Sequence, residues 1–146
     1  MEKLNFQISI NASRNKIWDV LWNDETYRKW TAVFSPGSYA VTDWQEGSKT
    51  LFLSSDGSGM VSTIAKNIPF EFLSIKHLGF VKNGIEDTES EEVKKWAGAL
   101  ENYTLKEAGE SVLLEVSMDM NDEYKDYFLK VFPQALQLVK DLAEND

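Results

Sequence analysis

Apolar and polar residues alternate at period two through Leu4–Ile10, LNFQISI, which predicts a strand with one buried face. The period then changes. Ile17, Val20 and Leu21 recur at helical spacing, Trp18 and Trp22 form an i, i+4 stripe beside them, and Ser13 stands where an N-cap is needed. Asn23-Asp24 interrupts this pattern, with Asp24 as the expected cap of a second short helix. That helix carries Tyr27 and Trp30 on one side and leaves Arg28 and Lys29 to water.

From residue 38 to residue 120 strand-like stretches follow one another: SYAVTDW, KTLFL, MVSTIAKN, FEFLSIKHLGF, ALENYTLKE and SVLLEVSMDM. Glu46-Gly47, Asp56-Gly57-Ser58-Gly59, Ile68-Pro69 and Ala108-Gly109 separate them and are turn signals, too short for crossovers, so antiparallel hairpins are expected. Residues 82–95, KNGIEDTESEEVKK, break the rhythm. This segment is long, acidic and nearly free of large apolar side chains, which predicts an exposed loop with one helical turn near Ser90 and its acids as a solvated face. Finally, Tyr124, Phe128, Val131, Phe132, Ala135, Leu138, Val139 and Leu142 mark a long amphipathic helix over Asp122–Glu144. Pro133 inside it removes one backbone hydrogen bond and crowds the Leu129 carbonyl, so a kink or short break is expected. The order is strand, two short helices, six strands, one long helix: an α+β chain.

Composition narrows the function classes. With 146 residues the chain has the length of one domain, 1–146, large enough for a single core without staples. Hydrophobic residues make up 42% and aromatics 12%, ample bulk for a core or a cavity wall. A formal charge of -9, from 24 acidic and 15 basic residues, opposes phosphate backbones and anionic headgroups, so nucleic acid and membrane surfaces are not expected partners. Zero cysteines removes disulfides, thiolate chemistry and cysteine-ligated zinc. The start, MEKLNFQISI, lacks the pattern of a secretory signal, and no apolar run approaches the ~20 residues a membrane helix needs. The expectation is a cytoplasmic protein.

At this point the order and several motifs resemble a known family. IWDVLWNDETYRKW after the first strand, W-x-x-G at Trp44 to Gly47, DGSGMVSTI leading to IPFEFLSIKHL, ENYTL followed by AGESVLLEVSM, and the terminal amphipathic helix together span essentially the whole chain. They resemble the START-like helix-grip superfamily shared by lipid-transfer domains and the birch-pollen allergen. Within it, the likeness is to the branch named for activators of the ninety-kilodalton heat-shock chaperone ATPase. The resemblance implies a helix-grip fold: a curved antiparallel sheet, about seven strands here, wrapped around the long C-terminal helix. It also implies an apolar pocket in the gap between them. Activators of this branch usually add a separate N-terminal domain, which is not expected in this chain.

Strand parity then selects candidate site residues. Leu73 and Ile75 share a face, and His77, the sole histidine, shares it with them. The family usually carries an aromatic at that place, so His77 is either a hydrogen-bonded core residue or a ligand contact. The same parity places Tyr103 and, unless a bulge intervenes, Glu101 inward, which suggests a polar network of Glu101 with His77 or Tyr103; the alternative is an exposed acid near a strand end. Trp18, Trp22 and Trp30 are expected in the core, with Trp30 at the rim of the implied pocket. The loop that follows it, through Phe34, would lie over the mouth. Phe128 and Phe132 on the long helix would form the opposite wall.

Catalysis has little to build on. One histidine and no cysteine allow neither a thiol nucleophile nor a multi-histidine metal site, and no serine sits in a nucleophile elbow. Asp56-Gly57-Ser58-Gly59 joins two strands and is therefore a hairpin rather than a phosphate cradle. The expected function is non-enzymatic binding of a small apolar or amphipathic ligand between sheet and helix, lined by Trp30, Phe34, Ile75, His77, Glu101, Tyr103, Phe128 and Phe132, with no cofactor and no metal. The alternative is a protein-interaction module of the chaperone-activator type, with a chaperone or other protein as partner. An acid-base enzyme using His77, Glu101 and Tyr103 on a bound substrate ranks third.

Overall fold

The computed structural model describes residues 1–145. The chain runs β1 (Glu2–Ile10), α1 (Arg14–Trp22), α2 (Asp24–Thr31), β2 (Tyr39–Val41), β3 (Lys49–Leu53), β4 (Gly59–Ile68), β5 (Phe72–Lys82), β6 (Ile85–Asp87), α3 (Glu91–Lys94), β7 (Leu100–Ala108), β8 (Ser111–Met120) and α4 (Asp122–Glu144). One open antiparallel sheet takes the order β1-β8-β7-β5-β4-β3-β2, with β6 added against β5. Long-range closure comes from β1 pairing with β8, from Glu2 opposite Met120 to Ile10 opposite Val112.

Local capping explains the helical segment. Ser13 caps α1 through its hydroxyl, which accepts the Lys16 amide at 3.1 Å. The second cap is Asn23 rather than Asp24: Asn23 is extended (φ -69°, ψ 135°) and its side chain accepts the Glu25 amide at 3.0 Å, so one residue closes α1 and opens α2. Asp24 lies inside the first turn and pairs with Arg28 one turn on, at 3.0 Å.

Residues 82–95 are more ordered than their composition suggests. Asn83 and Gly84 both take positive φ (53° and 77°), the geometry of a two-residue hairpin turn, and they reverse the chain into β6. Ser90 then caps α3, whose Val93 is fully buried, and Trp96 just beyond packs edge-on against Phe80 at 4.9 Å between centroids. The acids themselves are largely exposed, apart from half-buried Asp87, and Glu86 pairs with Lys49 at 2.5 Å.

The long helix α4 is unbroken through Pro133. It packs on β1, α1 and α2, and its Phe132 stacks on Phe6 of β1 with centroids 4.9 Å apart. Its last turn is tied to the end of β1: Lys140 Nζ donates to the Ser9 carbonyl at 2.7 Å, and Glu144 accepts the Asn11 amide at 2.8 Å. The core between helix and sheet draws Ile17, Val20 and Leu21 from α1, Ile64, Leu73, Ile75, Tyr103, Leu114 and Val116 from the sheet, and Phe132, Ala135 and Val139 from α4.

Candidate functional site

Cross-strand register sets the site. Leu73 lies opposite Tyr103, which lies opposite Val116; Ile75 lies opposite Glu101, which lies opposite Met118. Side chains directly opposite share a face of the sheet, so these two rows point together toward the helices. His77 is one step further along β5 and is the diagonal neighbour of Glu101. At that step β5 carries an extra residue: Val61 pairs with Gly79 while Ser62 pairs with His77, leaving Leu78 unmatched. The bulge reverses parity beyond it, so Phe80 turns toward the interior space, together with His77.

Four polar side chains form one chain of hydrogen bonds. Ser62 Oγ lies 2.7 Å from His77 Nδ1, and His77 Nε2 lies 2.9 Å from Glu101 Oε1. The Tyr103 hydroxyl donates to Glu101 Oε2. Burial alone would raise the Glu101 pKa, but the His77 hydrogen bond and charge, with Tyr103, outweigh it and hold the carboxyl below its usual range. Its ionised form acts outward in turn. Burial first, and then the Glu101 charge, push the hydroxyls of Tyr103 and Tyr27 up. Ser62 is fully buried behind His77 and does not line the interior space, so this serine, histidine and carboxylate present no reachable nucleophile.

Around this cluster lies a cavity of about 490 Å³ between the sheet, the α2–β2 connection and the first half of α4. All eight side chains singled out from sequence line it. Ile75, His77, Glu101 and Tyr103 come from the sheet, Phe128 and Phe132 from α4, and Trp30 and Phe34 from α2 and the residues after it. Trp30 forms part of the inner wall rather than the rim: it is 2% exposed, and its indole N–H donates to the Leu21 carbonyl at 3.2 Å. Phe34 bridges Phe128 and Phe132, with centroids at 5.8 and 5.2 Å, and the Tyr127 hydroxyl donates to the Phe34 carbonyl, fastening the connection to α4. The exposed Met1 and Tyr124 mark where the space reaches the surface.

Sequence reasoning left several wall residues out. Tyr27 is 8% exposed and meets Trp30 edge-on at 5.4 Å, and Trp22 meets Tyr103 at 4.9 Å; the sequence pattern places Tyr27 only on one side of α2 and Trp22 only in the core. Phe80 and Trp96 escaped because the first depends on the β5 bulge and the second on the β5–β6 reversal. The Asn83-Gly84 dipeptide was the available signal for the reversal. Trp18 is only partly buried and leans toward Phe70, away from the cavity. The Asp56-Gly57-Ser58-Gly59 segment is the β3–β4 turn. Hydrogen bonds from the Ser58 hydroxyl and amide and from the Ser54 hydroxyl hold the Asp56 carboxyl down to about 2. Among the described residues no group of three side chains is placed to ligate a metal, and no helix is long and apolar enough to cross a membrane.

A sheet gripping a long C-terminal helix, with two short helices after the first strand, is the helix-grip fold. Solved structures show the same fold. The Aha1 dimer from Colwellia psychrerythraea matches with a TM-score of 0.69 and 20% identity over 99% of this chain and 97% of that one. A Cytophaga hutchinsonii protein solved in solution matches at 0.72 with 18% identity over 99% and 95%. CalU16 from Micromonospora echinospora matches at 0.63 with 16% identity over 95% and 72%. No protein-family model matches the chain, and no curated protein matches it significantly.

Proposed function

We propose that this protein is a non-enzymatic binding domain that holds a small, largely apolar or amphipathic molecule between the sheet and α4. The observation that carries this is the 490 Å³ cavity, a volume typical of small-molecule sites, walled by aromatic side chains around one small polar cluster. Aromatic walls bind through area, and each large apolar group removed from water contributes roughly 1.5–3 kcal/mol. A chaperone-activator role ranks second, because it draws on the structural likeness to the Aha1 dimer alone.

Native mass spectrometry of the protein purified from its own host is the direct test, paired with titration of a neutral solvatochromic dye read by energy transfer from the cavity tryptophans. The expected result is a retained small molecule or saturable, stoichiometric dye binding. Substituting Ala99, which lines the cavity, by phenylalanine should suppress that binding while the circular dichroism spectrum stays native. Bare protein mass together with dye binding that never saturates would overturn the proposal.

A further inference from the structure

The sign of the polar end of the cavity limits what can enter. No lysine or arginine lines the wall among the described residues; its ionisable side chains include Glu101, Asp119 and His77, whose ring nitrogens are both taken up by Ser62 and Glu101, and Met1 is at the exposed rim. Asp119 is engaged elsewhere: it accepts the Leu100 amide at 3.0 Å and pairs with Lys3 at 3.5 Å. Glu101 is different. Each of its oxygens holds one donor, His77 or Tyr103, while a carboxylate offers about four lone-pair sites. Its side chain retains 23% exposure, so acceptor capacity remains on the cavity side.

A second group waits beside it. Tyr27 is 8% exposed and lines the cavity, and its hydroxyl makes no hydrogen bond among the described residues, although the Glu101 charge acts on it. The hydroxyl is not sealed off, whereas the Trp22 indole N–H on the same wall is buried without a partner among the described residues. The rings of Trp22, Trp30 and Tyr103 surround this end, and aromatic faces attract cations. An anion entering here would meet an ionised carboxylate in a poorly solvated space, after approaching a chain of net charge -9.

We propose that the buried end of the ligand carries a hydrogen-bond donor, a hydroxyl or a protonated amine, seated on Glu101 with Tyr27 beside it, and that anionic amphiphiles such as fatty acids are rejected. This rests on the cavity being a ligand site. The test compares three probes with one tail and different heads: dodecylamine, dodecanol and dodecanoate, each below its micellar concentration, titrated calorimetrically into the full chain at neutral pH.

The expected ranking places the amine and the alcohol at least about tenfold tighter than dodecanoate, the size of a hydrogen bond to a charged group. Glu101→Gln should reduce the advantage of the amine over dodecanoate by about tenfold. Tyr27→Phe, which keeps the ring, should weaken dodecanol by roughly threefold. If dodecanoate binds the native protein as tightly as the others, or if Glu101→Gln leaves the ratio of amine to dodecanoate affinity unchanged, the headgroup assignment falls while the cavity remains a binding site. Binding of none of the three removes both. Should Glu101→Gln fail to fold, the native ranking and Tyr27→Phe still decide.

Discussion

Glu101 shows how a single residue can be both a stability element and a recognition element. Its carboxylate is held ionised by His77 and Tyr103 against the effect of burial, so its folded pKa lies below the ordinary value of 4.5 that it has when unfolded. A depressed acid pKa stabilises the fold fully above the unfolded value, and that stability is lost as pH falls through the folded value. Glu101→Gln should therefore lower the urea-unfolding free energy by about 1.5–3 kcal/mol at neutral pH. The gap should close progressively below pH 4.5. A pH-independent difference between the two proteins would show that the ionised carboxylate does not contribute. Parity indicated that Glu101 and His77 share a face, but it could not show that they bond. Ser62 entered the network unannounced, since the facing of β4 against β5 depends on two register shifts that no alternation pattern reveals.

Among the elements, β6 is where sequence and structure part most clearly, while the helical turn expected near Ser90 is α3. Composition described 82–95 as a solvated loop because most of its side chains are polar, yet a backbone turn and one buried valine suffice to order it. The β5–β6 hairpin also depends on Gly79, since a Cβ there would stand 2.0 Å from the Asp87 carbonyl. Gly79→Ala should cost about 1–3 kcal/mol, as for other overpacked sites. Hydrogen exchange should locate the loss: faster exchange for the amides that join β5 to β6, with the β7–β8 ladder unchanged. Uniform loss of protection across the sheet would mean that β6 is not a separable unit. Pro133, expected to kink or break α4, leaves the helix unbroken, because packing on β1, α1 and α2 holds the flanking turns in place.

For the molecule as a whole, occupancy of the cavity must appear as stability. A ligand at one hundred times its Kd, binding only the folded state, adds about 2.7 kcal/mol. For a domain near 150 residues that is a rise of about 5–10 °C in Tm. Differential scanning calorimetry with dodecanol at saturation should record such a rise in the native protein and little in the Ala99→Phe variant. An equal rise in both would place the ligand somewhere other than the cavity.

Local signals in the chain determined the elements and their order apart from β6, because period-two and helical patterns, the Ser13 cap and the turn residues act within a few neighbours. They also determined which faces of β5, β7 and α4 look inward, and so brought Ile75, His77, Glu101, Tyr103, Phe128 and Phe132 to one space. Tertiary structure alone decided three further matters: that the space holds a cavity of about 490 Å³, that Ser62, His77, Glu101 and Tyr103 bond in series, and that Trp22, Tyr27, Phe80 and Trp96 complete the wall. The physical reason is that a void and a cross-strand hydrogen bond are properties of distance between segments far apart in the chain. Bulges and packing set those distances after the local patterns have been satisfied.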